Sequence, residues 1–421
     1  MTVEPIQPPQ SPEVGDHDVR VVGQGLAGRR VALLVSGGIA AMKAPLLARA
    51  LRRQQAEVVC YASAEALRYT TRDALTWAST HPVVGALSPD SEHLAASRPF
   101  DLYLVAPATY NTINKCRHGI ADGPLTTTLA SALGLMARGR AKVMLVPTMH
   151  GTMHNPVLHD SLVQLQAWGV SVMRPRDAHG KHNLPEIDAI VSEACRVVSS
   201  SPLKGARILV TAGPTPVPID GVRRITNKFR GTLGIEIAGE LHRRGAEVTL
   251  LLGSAAMPTP TWLNVHRVST FAQYRDTVLE HLATVGAEVG IFAAAVADYA
   301  PSHAFEGKLR SGDPALRLDL RPTQKVVDLV QQAHPALQLV SFKFEIGCTL
   351  DDLVQIGQRR LDAGHAAVIL NRQEDYTDAG MHRAYLLSAS APLVEMESKR
   401  EIAVRLAEHL ERTRRPASRA S

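Results

Sequence analysis

The sequence predicts two α/β domains in tandem, each built on a doubly wound, mostly parallel sheet. Two apolar runs of strand type each empty into a glycine turn. Val31-Ala32-Leu33-Leu34-Val35 runs into Ser36-Gly37-Gly38, and Arg207-Ile208-Leu209-Val210-Thr211-Ala212 runs into Gly213-Pro214-Thr215. After each, short apolar runs alternate with helical patterns, as in parallel strands joined by helical crossovers. Between the halves, Ser199-Ser200-Ser201-Pro202 breaks the alternation with the residues of a linker.

Composition fits this reading and narrows the function. A chain of 421 residues has room for two to three domains of about 150 residues each. Aromatic residues are 4% of the chain, too few for a base-stacking nucleic-acid binder. The net charge of +6 is mild and lies partly in the end stretch Arg412-Thr413-Arg414-Arg415. Anionic small molecules are therefore expected as partners, not nucleic acid. Cys60, Cys116, Cys195 and Cys348 are far apart and form no CxxC, as expected of free thiols in a reducing cytoplasm. No apolar run approaches the ~18 residues of a membrane span, and the proline-rich start around Glu4 lacks the pattern of a secretory signal.

In chain order, residues 1–28 read as a disordered lead. They include Gly23-Gln24-Gly25-Leu26-Ala27-Gly28, a match to G-x-G-x-x-G. That motif needs a strand before it and a helix through it, whereas a strand follows here, so it is set aside. The first domain, 29–198, has expected strands at 31–35, 57–61, 101–106, 141–147 and 170–173. Helical patterns fall at 40–53, 64–69, 71–79, 111–118, 124–137 and 155–168. The second domain, 203–411, has strands at 207–211, 247–252, 288–292, 337–344 and 366–370, with an alternating edge strand at 316–320. Its helices fall at 234–244, 271–284, 324–333 and 350–362. Residues 412–421 read as a basic disordered tail. Glycine turns at the carboxyl ends of parallel strands present backbone N–H groups and helix N-termini, which bind phosphate.

Ser36-Gly37-Gly38-Ile39-Ala40-Ala41-Met42-Lys43, Ala106-Pro107-Ala108-Thr109-Tyr110-Asn111 with Gly119-Ile120-Ala121-Asp122, and Pro147-Thr148-Met149-His150 follow one another in order. Together they resemble the flavin-containing cysteine decarboxylases. From about Arg30 to Ser388 the chain resembles the bifunctional phosphopantothenoylcysteine decarboxylase/phosphopantothenate–cysteine ligase family of coenzyme A biosynthesis. The resemblance implies a flavodoxin-like or Rossmann-like flavoprotein domain followed by a Rossmann-like ligase domain. It implies FMN bound by Ser36, Gly37, Gly38, Ser63, Ala106, Pro107, Ala108, Thr109, Asn111, Met149 and His150. Ser36 and Ser63 would reach the phosphate, and residues 106–109 would line the ring system. His93 falls at the family's catalytic histidine. In the implied reaction, oxidation of the substrate thiol to a thioaldehyde makes an electron sink, and the neighbouring carboxylate leaves as carbon dioxide.

In the second domain the resemblance rests on Val210–Thr215, Asp220-Gly221-Val222-Arg223, Ala294–Tyr299 and Ser341-Phe342-Lys343-Phe344-Glu345. It implies Gly213, Pro214, Thr215, Ala295, Asp298, Lys308, Phe342 and Lys343 as nucleotide-binding residues. Lys308 and Asn227 would be catalytic. The carboxylate of phosphopantothenate is activated as an acyl-nucleotidylate, with pyrophosphate leaving, and then captured by cysteine. Lys308 would stabilise phosphate charge, and Asn227 would hold the acyl group. Mg2+ would accompany the triphosphate, and CTP or ATP would supply it. Trimers of the first domain and dimers of the second are implied.

The chain also departs from the family pattern. The flap segment Asp177-Ala178-His179-Gly180-Lys181-His182 has no cysteine, so His182 or His179 is expected as proton donor. The substrate-phosphate loop is Asn227-Lys228-Phe229-Arg230-Gly231, with Arg230 in place of hydroxyl donors as the phosphate clamp. His150 and His154, four apart, are read as loop residues and not as metal ligands. Two rival readings are a diverged enzyme that runs the same chemistry on another substrate and a non-catalytic flavin-binding regulator.

Overall fold

Strand β1 (Arg30–Val35) is buried along almost its whole length, with Val31 to Val35 fully enclosed. A strand covered on both faces reads as a continuous apolar run and sits inside a parallel sheet. The computed structural model describes residues 15–94, 98–254, 258–309, 316–376 and 382–414, in two compact units that meet at Ser199/Ser200.

In the first unit β1 is flanked by β2 (Glu57–Ala62) and β3 (Leu102–Ala108). The sheet continues through β4 (Lys142–Pro147). A two-residue strand, β5 (Met149–His150), stands outside it, and β6 (Ser171–Val172) closes its far edge. The order β2-β1-β3-β4-β6 is parallel throughout. The order reverses between β1 and β3, and a crevice opens there beyond the strand ends. Helices α1 (Ala44–Arg52), α2 (Arg72–Ser79), α3 (Tyr110–His118), α4 (Pro124–Ala137), α5 (Pro156–Ala167) and α6 (Ile187–Val198) cover the sheet. Their ends follow local chemistry. Thr71 and Asn155 cap α2 and α5 by accepting from Ala74 N and Leu158 N. Gly119, at φ 67°, closes α3. A hairpin of β7 (Arg176–Ala178) and β8 (Lys181–Asn183) turns at His179-Gly180, both left-handed, and pairs with β5.

In the second unit β9 (Arg207–Ala212) is central. Short ribbons leave its end: β10 (Pro214–Thr215), and β11 (Val217–Pro218) paired with β12 (Arg224–Ile225). Helix α7 (Thr232–Arg243) leads to β13 (Glu247–Leu252) and β14 (Asn264–Arg267). Helix α8 (Phe271–Thr284) then leads to β15 (Val289–Phe292) and β16 (Ala295–Val296). Next come β17 (Tyr299–Pro301), β18 (Leu320–Pro322), α9 (Val326–Ala333), β19 (Gln338–Glu345), α10 (Leu350–Asp362) and β20 (Ala367–Arg372). The unit ends in β21 (Ala384–Ser388), β22 (Ala391–Met396) and α11 (Lys399–Thr413). The sheet order is β14-β13-β9-β15-β19-β20-β21-β22, parallel up to β20 and antiparallel beyond it. Its reversal lies between β9 and β15.

Three expectations are corrected. The lead is not loose where it is described. Leu26 is fully buried in the first core, and the N–H groups of Val22 and Leu26 donate to Arg53 O and Gln54 O. Residues 1–14 lie outside the described residues. At the other end, Arg412 and Thr413 belong to α11 and Arg414 pairs with Glu288 at 3.2 Å; 415–421 lie outside the described residues. The stretch 316–320 does not edge the main sheet. Among the described residues, Leu320–Pro322 pairs only with Tyr299–Pro301, and Leu316 and Leu320 are exposed.

Candidate functional site

The first crevice holds a cavity of about 800 Å3, within the range of cofactor sites. Its floor is Gly37-Gly38 after β1 and Pro107 and Thr109 after β3. Gly38 precedes the 3-10 turn Ile39–Lys43, Thr109 caps α3 and Gly123 caps α4. All three line the cavity, so free N–H groups of several first turns converge on it, a setting that favours an anion by roughly 0.3–1 kcal/mol per helix. Gly37 is required by space, since a Cβ there would stand 2.3 Å from Glu65 Cβ.

Of the expected flavin residues, Gly37, Gly38, Ser63, Pro107, Thr109, Asn111, Met149 and His150 line the cavity. Ala106 and Ala108 are buried behind it. Ser36 is placed differently from expectation. Its hydroxyl is buried, donates to Pro107 O at 2.7 Å and accepts from Thr109 N at 3.1 Å. Ser36 therefore ties the two floor loops together and does not line the space. His93 does not line the cavity of its own unit either, and its Nδ1 is buried without a partner among the described residues.

The β7–β8 hairpin roofs the cavity with Lys181, His182 and Asn183. Asp177 Oδ1 accepts from His182 Nδ1 at 2.5 Å, and the His154 ring meets His182 edge-on at 5.3 Å. His179 sits exposed at the turn, away from the lining. Two further wall residues are Lys115, which sequence reasoning missed, and Asp122 of the Gly119–Asp122 motif, 2.6 Å apart. The Lys115 ammonium holds the Asp122 carboxyl below its ordinary range.

The second crevice holds a cavity of about 450 Å3 between Gly213, the loop 228–234 and Ala293-Ala294-Ala295. Gly231, at φ 78°, caps α7, and a Cβ on it would meet Gly213 Cα at 2.8 Å. Glycine is thus required for both conformation and space. Phe229, Phe342, Phe344 and Tyr376 supply flat walls, and Lys228, Arg230 and Lys399 supply positive charge. Phe229 meets Phe344, and Phe344 meets Tyr376, both edge-on. Asn371 donates to the Tyr376 hydroxyl at 3.1 Å, which lies 3.4 Å from His382 Nε2. Burial, with Lys399 nearby, pushes His382 down to about 4, so its ring is neutral. Tyr376 and His382 carried no sequence signal, because only the fold brings the chain after β20 back over the crevice.

Of the residues expected to bind nucleotide or substrate, Gly213, Ala295, Phe342 and Arg230 line this cavity. Pro214 and Thr215 are buried in β10, where Thr215 Oγ1 accepts from Ala297 N. Lys343 faces Glu345 at 2.7 Å, and Asp298 pairs with Lys325 at 2.5 Å; neither lines the space. Asn227 Nδ2 donates to Ala295 O at 3.0 Å and Val296 O at 3.2 Å, anchoring the loop that carries Arg230. Lys308 is exposed outside the cavity on a loop held by Asp220, which accepts from Leu309 N at 3.1 Å, and by Gly221, which donates to Gly307 O at 2.7 Å.

The two crevices therefore define two tandem α/β units, each with a glycine-lined cavity where the order of its sheet reverses. Residues 21–199 match the Flavoprotein family model, and residues 203–413 match that of the DNA/pantothenate metabolism flavoprotein C-terminal domain. The coenzyme A biosynthesis bifunctional protein CoaBC of Thermococcus kodakarensis is 32% identical over 406 residues, 94% of this chain and 99% of that protein. The CoaBC of Bacillus subtilis is 30% identical over 84% of this chain and 88% of its own. The chain belongs to the CoaBC family of coenzyme A biosynthesis bifunctional proteins. Among solved structures, the DNA/pantothenate metabolism flavoprotein from Streptococcus pneumoniae is similar at a TM-score of 0.45 and 29% identity, over 50% of this chain and 100% of that one.

Proposed function

We propose that this chain carries out two consecutive steps of coenzyme A biosynthesis. The second unit joins phosphopantothenate to cysteine at the expense of CTP or ATP, and the first unit decarboxylates the phosphopantothenoylcysteine so formed to phosphopantetheine. The observation that carries this reading is the match of both units, in order, to one family along nearly the whole chain.

The first cavity fits FMN. Its glycine floor and convergent helix N-termini suit a phosphate, and Pro107, Thr109, Asn111 and Met149 offer a wall for a flat ring system. FMN, when bound, supplies reversible two-electron oxidation of the substrate thiol. The chain's own task is to orient the thiol and carboxylate and to move protons. His93 is the proposed base; lying outside its own unit's cavity, it would act in a neighbouring copy's cavity, in keeping with a homotrimer of this unit.

In the second unit, Arg230 and Lys228 are proposed to clamp phosphate oxygens, with the aromatic walls enclosing the base or the acyl group. Lys308 is proposed to reach the α-phosphate, where charge builds during nucleotidyl transfer. Among the described residues no three His, Cys, Asp or Glu side chains converge into a metal cluster. Mg2+ is therefore expected to enter on the triphosphate. A dimer of this unit and a cytoplasmic setting complete the proposal; no helix among the described residues is long and apolar enough to cross a membrane.

The reading is tested by supplying phosphopantothenoylcysteine labelled in its cysteine carboxylate to FMN-loaded protein. Release of labelled carbon dioxide is expected. An inert substrate in the presence of bound FMN would remove the decarboxylase assignment.

A further inference from the structure

The geometry points to Asp177 and His182 as a paired proton donor on the hairpin over the first cavity, with Nε2 of His182 the donating atom and Asp177 its positioning residue. This rests on the decarboxylase reading above. Three observations carry it. His182 lines the cavity, and its Nδ1 lies 2.5 Å from Asp177 Oδ1. A carboxylate only accepts, so the hydrogen of that bond belongs to Nδ1. The proton that the ring gains and loses is then the one on Nε2, and Nε2 makes no hydrogen bond to protein among the described residues. Finally, the ring is fixed on both sides. Asp177 and His182 are direct partners across the antiparallel β7–β8 pair, His182 is also paired to Met149 of β5, and His154 packs edge-on against the ring. A donor held in this way has the requirements of a general acid, an oriented N–H and a neighbouring anion that stabilises the imidazolium.

The step it serves follows loss of carbon dioxide. The substrate is then an enethiolate with electron density on the carbon that bore the carboxylate. The Nε2–H bond breaks and a C–H bond forms at that carbon, while the sulfur electron pair closes to C=S; C=S is then taken to the thiol by a proton from water and the hydride returned from FMN reduced in the initial thiol oxidation. His182 is left neutral, with Nδ1–H still on Asp177. Water re-protonates Nε2, since the side chain keeps 23% of its exposure. Without this transfer the product leaves as the enethiol, two hydrogen atoms short of the thiol.

The test is the ratio of thiol to enethiol formed per carbon dioxide released, read by mass spectrometry, in wild type, His182→Gly, Asp177→Asn and Asp177→Glu. The ratio is expected to fall on the order of 100-fold in His182→Gly and in Asp177→Asn, the scale of general acid catalysis. Added imidazole should restore it in His182→Gly, and Asp177→Glu should retain it in large part. A second readout is independent of turnover. Nitrogen NMR of the full chain should show Nδ1–H on His182 in wild type and a shift toward the Nε2–H tautomer in Asp177→Asn, because an amide can donate to Nδ1. A wild-type ratio in both His182→Gly and Asp177→Asn would overturn the donor. Carbon dioxide release absent even in wild type would instead overturn the decarboxylase reading.

Discussion

The Thr109 N–H donates to the Ser36 hydroxyl at 3.1 Å, so the loop after β3 hangs from the loop after β1. The same hydroxyl donates to Pro107 O at 2.7 Å. Removing it leaves a buried donor and acceptor unsatisfied, which costs about 1–3 kcal/mol for such a group. Ser36→Ala is therefore expected to lower the stability of the flavin-free protein by that amount in urea unfolding, and to weaken FMN as a consequence. A variant with unchanged flavin-free stability and only weaker FMN would make Ser36 a phosphate ligand.

Gly37 sits against Glu65, whose Cα and carbonyl carbon would lie 3.2 and 3.1 Å from an added Cβ. Backbone cannot swing aside as a flexible side chain can. Gly37→Ala is expected to cost about 1–3 kcal/mol of strain and to displace the floor under the cavity. Flavin fluorescence titration should show FMN affinity falling by roughly tenfold or more, while Gly38→Ala, 3.3 Å from the Thr109 methyl, should be milder.

Asn227 uses both donors of its amide on Ala295 O and Val296 O. Asn227→Asp replaces donors with acceptors facing two carbonyls. The loop 228–231 should detach, and phosphopantothenate affinity should fall along with turnover. Isothermal titration checks this: unchanged affinity with lost turnover would confine Asn227 to the chemical step.

His382 is held neutral with a pKa near 4, against 6.5 in the open chain. Between those values the unfolded chain binds a proton that the folded chain refuses, so stability falls as pH drops through this window and levels off below it. His382→Gln should flatten the stability profile there in thermal unfolding at stepped pH. An unchanged slope would mean that another group supplies it.

Asp220 acts in the same direction, in a lower pH window. Backbone N–H groups of Arg223, Val222 and Leu309, with the Arg223 guanidinium, hold its carboxyl down to about 2, against 3.8 when free. Its contribution is complete above 3.8 and lost as pH falls toward 2. Asp220→Asn should flatten this acid limb and loosen the loop around Lys308, seen as faster amide exchange at Leu309. An intact acid limb would contradict this.

Much of this arrangement was legible in the sequence. Buried parallel strands advertise themselves as apolar runs, and a glycine turn at their ends marks the crevice, so the sequence pointed to Gly37, Gly38, Thr109, Gly213 and Ala295, which line the two cavities. The turn of the Ser36 hydroxyl toward Pro107 and Thr109 leaves no trace in the sequence, because β1 is covered on both faces and no alternation tells which way the residue after it points. Leu26 was lost in a polar stretch whose one deep contact depends on α1. Tyr376, His382 and the pairing of Lys115 with Asp122 join elements or turns by tertiary packing, which leaves no periodic trace. The Asp177–His182 pair is a cross-strand contact, visible only once the register of β7 and β8 is known.

The most direct measurement is a single incubation of the FMN-loaded full chain with phosphopantothenate, cysteine, Mg2+ and CTP or, separately, ATP, followed by mass spectrometry. The expected result is phosphopantetheine with one carbon dioxide and one pyrophosphate released per molecule, and phosphopantothenoylcysteine as the transient species. Failure to form phosphopantothenoylcysteine with either nucleotide, while added phosphopantothenoylcysteine is also left intact, would contradict the assignment of both units.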